Sequence, residues 1–219
     1  PPSAEDIEHM RAAAAEFRKP WHRFRPLSPG LLLKLGRTGG LTTLVGLLPA
    51  GVFPTSGLRR FPIHGLDHWP APLWMPSVRV DDGELVVFGR DRTDIDIGDA
   101  IEATAAVPGM FQPKVIDGQR FIDGAVASAT HADLLVDEGH DIVLISSPMT
   151  RPGRGLVRAR AQRQLTREIA KLHAVGTRTM VVCPDEQIMA VAEGFPRSNP
   201  GAGVRIVDAA RAQTERAFV

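Results

Sequence analysis

Residues 99–125 read DAIEATAAVPGMFQPKVIDGQRFIDGA, and the order of elements in that stretch decides the fold. Asp99 to Val107 carries the small and apolar residues of a closely packed helix, and Pro108-Gly109 breaks it. Lys114 to Ile116 and Gln119 to Ile122 flank Asp117-Gly118 symmetrically, and that pair supplies the positive φ of a tight β-hairpin. Asp123 then follows two apolar strand residues and precedes Gly124, so a carboxylate leaves the core on a turn of backbone. A second hairpin so soon after the first leaves no room for paired strands. Asp123 therefore reads either as an ordinary turn residue or as a functional acid.

Working outward, Leu73 to Val80 and Glu84 to Gly89 read as strands joined by Asp81-Asp82-Gly83. Further upstream, Ser3 and Asp6 fit a capping box opening a helix to Lys19, with Ile7, Met10, Ala14 and Phe17 on one face and Pro20 as its stop. From Trp21 to Pro72, prolines and glycines punctuate short apolar runs, which reads as short helices and loops.

Downstream, a short helix from Ala132 to Glu138 ends at Gly139. Ile142 to Ile145 is uniformly apolar, the pattern of a central parallel strand covered on both faces. A helix from Leu156 to Val175, a buried strand from Thr179 to Cys183, and helices over Asp185 to Glu193 and Val204 to Phe218 follow, with Phe195 to Gly201 as a loop. This alternation predicts an α/β fold: a mostly parallel sheet with helices on both faces.

Composition narrows the function. A formal charge of +1 over 219 residues argues against a nucleic-acid partner, and a single cysteine excludes a disulfide framework. Leu41 to Phe53, the longest weakly polar run, is too short to span a bilayer.

The phrases from Ala100 to Pro113 and from Phe121 to Val126, followed by Gly139 and a strand ending in Ser146-Ser147-Pro148, resemble the second half of the patatin-like phospholipase domain. In that family a small-residue helix ends in Val/Ile-Pro-Gly-x-Phe-x-Pro, and an Asp-Gly-Gly/Ala motif supplies the acid of a Ser-Asp dyad. The resemblance runs from about Trp74 to Pro148. It implies a three-layer α/β/α domain, a lipid acyl ester hydrolase that needs no cofactor or metal, and Asp123 as the base that activates a serine.

The family's nucleophile elbow, Gly-x-Ser-x-Gly, does not occur within these 219 residues. The expectation is that residues 1–150 are the C-terminal portion of the catalytic domain, with 20–72 as an inserted substrate cover, and that 151–219 extend the same sheet. The N-terminal part of the domain, with the serine, would then come from another segment in cis or in trans. A piece short of those strands should expose apolar sheet faces. The competing reading is a non-catalytic lipid-binding or interaction module on the same scaffold. Either fits a cytoplasmic protein peripheral to a membrane, with a lipid or acyl ester as its partner.

His131 stands where bacterial relatives more often carry Asn near a helix start, so it reads as a cap, with a titrating neighbour of Asp123 as the alternative. His64 and His68 have a metal-compatible spacing, but Gly65 and nearby prolines argue against the helix that would align them. Gly36 to Gly40 lacks the ending of a phosphate loop, and Cys183 reads as a core residue. Seven basic residues between Arg151 and Lys171 face one acid, Glu168. The tract reads as a solvated helix face, with attraction to anionic lipid headgroups as the alternative.

Overall fold

The computed structural model describes residues 51–60, 69–150, 155–193 and 200–218. The predicted helix of residues 3–19, most of the 20–72 insertion, the Gly36–Gly40 loop and His64 and His68 lie outside the described residues. The chain divides into two compact units, Pro1–Ala127 and Ser128–Val219.

The first unit is built on strands β1 (Met75–Arg79), β2 (Leu85–Phe88), β3 (Lys114–Ile116) and β4 (Gln119–Asp123), with helix α1 (Ile97–Thr104) between β2 and β3. The strands form a sheet in the order β2-β1-β4-β3. Every pairing in it is antiparallel. The mostly parallel sheet expected from the alternation is therefore not the arrangement of this unit. The reason is local: two of the pairs are joined by short Asp-Gly turns, and a parallel pair needs a long crossover. Asp117 and Gly118 both adopt positive φ, at 49° and 75°, as a tight hairpin of this kind requires.

The sheet has two apolar faces. Val78, Val80, Ile122 and Val126 form one cluster. Val86, Phe88, Ile116 and Phe121 form the other, against Ala100 and Ala103 of α1. Alanines at those positions let the helix lie close to the strands, and Phe88 and Phe121 meet edge to face at 5.2 Å between centroids. Asp96 caps α1 by accepting a hydrogen bond from Asp99 N–H. The helix stops at Thr104, short of the expected Val107, because the residue before Pro108 is pushed out of helical geometry and the chain leaves in a tight turn.

The second unit holds β5 (Ile142–Ser146), α2 (Leu156–Ala174), β6 (Arg178–Val182), α3 (Glu186–Glu193) and α4 (Pro200–Phe218). Here β5 and β6 pair in parallel across α2. Val143 and Ile145 are buried against Leu165 and Leu172 of that helix. The other face is open, with Ile142 48% and Leu144 63% exposed and Met180 36%. This corrects the expectation of strands covered on both sides: α2 covers one face of the pair. Helix α4 begins at Pro200, four residues before the expected start, at a residue type favoured in the first helical turn. Gln213 of α4 donates to the Cys183 carbonyl at 2.7 Å and accepts from Asp185 N–H, fixing the connection from β6 to α3.

Candidate active site

Asp123 is the last residue of β4, and three backbone features set its position. Its N–H donates to the Ala106 carbonyl at 3.0 Å, which ties the carboxylate-bearing turn to the exit of α1. It lies opposite Ser77 in the β1–β4 register. Its Oδ1 accepts from Ala125 N–H at 2.8 Å, so the side chain caps the 3-10 turn Gly124–Val126. A capped turn is half of the plain turn-residue reading, and it also orients the acid.

Gly124 is required by a close approach rather than by an unusual φ. A Cβ on Gly124 would overlap the carbonyl oxygen of Pro76 in β1. The same carbonyl accepts from Thr104 Oγ1 at 2.6 Å. Strand β1, the α1 terminus and the Asp-Gly turn therefore converge on one point, and no side chain fits between them.

The Val-Pro-Gly-x-Phe-x-Pro phrase is itself stitched down. Val52 and Phe53 N–H both donate to Met110 O at 3.1 Å, and Gln112 N–H donates to Phe53 O at 2.8 Å. Gly51 meets the Phe111 backbone where no Cβ fits, and the rings of Phe53 and Phe111 lie 6.2 Å apart. The end of the Leu41–Phe53 run thus docks on the segment that leads into the Asp123 turn.

A charged cluster lies on α1. Glu102, 4% exposed, accepts from Thr55 Oγ1 at 2.8 Å and from Lys114 Nζ at 2.9 Å. Lys114 also pairs with Asp99 at 2.8 Å. Burial pulls the Lys114 ammonium down, but the hydrogen bonds and charges of Asp99 and Glu102 outweigh it, and the group sits above its ordinary value.

The described serines do not supply an elbow. Ser77 is fully buried and donates to Ile122 O at 2.7 Å, and Ser56 is exposed on a 3-10 turn. Ser147 is sealed from solvent, and its Oγ has no partner among the described residues. Ser128 donates to Glu168.

That last contact exposes a residue the sequence reading passed over. Glu168 of α2 is 2% exposed and also accepts from Thr130 Oγ1 and from Ala132 N–H at 3.0 Å. Ser128 Oγ in turn accepts from Thr130 and His131 N–H. These groups hold the turn that opens the 3-10 helix Ala132–Leu135. His131 makes no side-chain cap, which corrects the capping expectation; it adopts a left-handed conformation with φ 50° and ψ 28°. Asn tolerates that conformation better than most residues, which gives a physical reason for Asn at this position. The signal for Glu168 was present: it falls in phase with Ala161, Leu165 and Leu172, the buried stripe of α2.

Among the described residues no cluster of His, Cys, Asp and Glu could hold a metal ion, and no helix is long and apolar enough to cross a membrane. The family model for patatin-like phospholipase matches residues 12–136, more than half of the chain.

Proposed function

The chain belongs to the patatin-like phospholipase family, and on that premise we propose that the complete protein hydrolyses acyl esters of lipids with Asp123 as the base of a Ser-Asp dyad. The observation that carries this reading is the Asp123 turn. A carboxylate at the end of strand β4 accepts a hydrogen bond from the amide two residues on and is followed by a glycine that no other residue can replace without overlap. The amide bond from Ala125 orients the carboxylate at the turn. In the reaction the serine Oγ attacks the ester carbonyl while its proton passes to Asp123. The proton then leaves on the alcohol, and water repeats the sequence on the acyl enzyme.

The nucleophile is proposed to come from a segment beyond these residues, in cis or in trans, adding strands to a three-layer domain in a cytoplasmic protein that works at a lipid surface. The absence of Gly-x-Ser-x-Gly here favours one second reading, a lipid-binding module without hydrolysis. The test is hydrolysis of a short acyl ester by the natural full-length polypeptide and by its Asp123→Asn form. Activity in the parent that disappears in the variant supports the dyad. Activity equal in both removes Asp123 as the base, and an inactive parent that still binds lipid selects the second reading.

A further inference from the structure

The geometry points to α2 as the surface through which this protein meets anionic lipid headgroups, an inference that rests on the lipid reading above for its choice of partner. Arg160, Arg163, Arg167 and Lys171 recur at intervals of three and four residues, so they form one row along the helix. Arg163, Arg167 and Lys171 are exposed and Arg160 is partly so. The only acid on the helix, Glu168, is turned inward, where it accepts from Ser128, Thr130 and Ala132, and its charge is felt at Lys171. Among the described residues Arg163 and Arg167 have no ion-pair partner, whereas Lys171 is paired with Asp133 at 2.6 Å. Most other surface arginines of the described residues are paired: Arg79, Arg90, Arg92, Arg120 and Arg216 each meet a carboxylate. Arg163 and Arg167 thus stand one turn apart without an ion pair among the described residues, in a chain whose net charge is only +1.

A row of cations with an inward acid matches a plane of negative headgroups. Clusters of four or more basic residues on a helix are the electrostatic pattern of anionic-lipid contact. A lipid surface is favoured over nucleic acid because the family's substrates are lipids and because the row is straight and lies on a single helix face.

The test uses the 219-residue chain in vesicle flotation, with vesicles of phosphatidylcholine alone and of phosphatidylcholine containing phosphatidylglycerol, at low and high salt. Binding is expected only to the anionic vesicles, weakened by salt and reduced roughly 10- to 30-fold by Arg163→Ser with Arg167→Ser. Removing two charges elsewhere in the unit, with Arg178→Ser and Arg211→Ser, should reduce it far less. Equal binding to both vesicle types, no binding to either, or equal losses in the two double variants would overturn the assignment. So would equal affinity for a double-stranded oligonucleotide, which would mark a general polyanion surface. Vesicle binding needs no serine, so a hydrolysis defect with intact binding counts against the dyad alone, and the reverse against α2 alone.

Discussion

Asp123 and Glu168 are both carboxylates beside turns, and they are held in different ways. Glu168 is almost sealed and takes three donors, two hydroxyls and an amide, from a segment it holds in place. Its role is to hold that loop. Asp123 is half-buried and is oriented by the amide two residues on.

The sharpest way to break this comparison is to remove each carboxylate in turn. Asp123→Asn keeps a side-chain oxygen for Ala125 N–H, so the melting temperature should hold. Ester hydrolysis by the full-length protein should fall on the order of 10²- to 10⁴-fold. Glu168→Ala should do the opposite. It strands buried donors at Ser128, Thr130 and Ala132 and should cost about 3 kcal/mol by urea denaturation of the second unit.

Gly124→Ala tests whether the Asp123 turn is as tightly built as the Glu168 loop. The methyl group has to displace the Pro76 carbonyl, and a loss of about 2 kcal/mol in denaturant melts is expected. The charged cluster of α1 gives a pH-dependent check. Lys114 titrates above its ordinary value when folded, so its contribution is full below about pH 10.4 and is lost as pH rises through the folded value. A melting temperature that declines above that pH in the parent, and less steeply in Lys114→Gln, would bear this out. The smallest effect belongs to His131. Its left-handed backbone is better suited to Asn, and His131→Asn should stabilise the second unit by about 0.5 kcal/mol in the same denaturation experiment.

The local parts of this structure could be read from residue types alone. Asp117-Gly118 and Asp82-Gly83 announce their turns, and the bounds of α2 are set by a stripe of apolar residues and by Gly176. What could not be read is how strands are shared between sheets. Ile142 to Ile145 has the composition of a doubly covered strand, yet only Val143 and Ile145 are buried, because coverage depends on what packs there and not on the strand's own residues. Gly124 likewise looks like any turn glycine until Pro76 of β1 is seen beside it. Glu168 was missed because charge was weighed before phase; its place in the buried stripe told more than its type. Asp123 was legible as a candidate through the wording around it, from Ala100 to Val126.

The parallel pairing of Ile142 with Arg178 spans the whole of α2, whereas the β3–β4 hairpin closes across Asp117-Gly118. Closing a long loop takes more chain entropy than closing a two-residue turn, so the two units face different kinetic problems. As the chain leaves the ribosome, the β3–β4 hairpin and the Asp123 turn can close from residues already made. Strand β5 has to wait, with Val143 and Ile145 uncovered, until α2 and β6 have been synthesised. The interval of greatest exposure to aggregation during synthesis therefore falls on β5, after the segment bearing the acid has already taken shape.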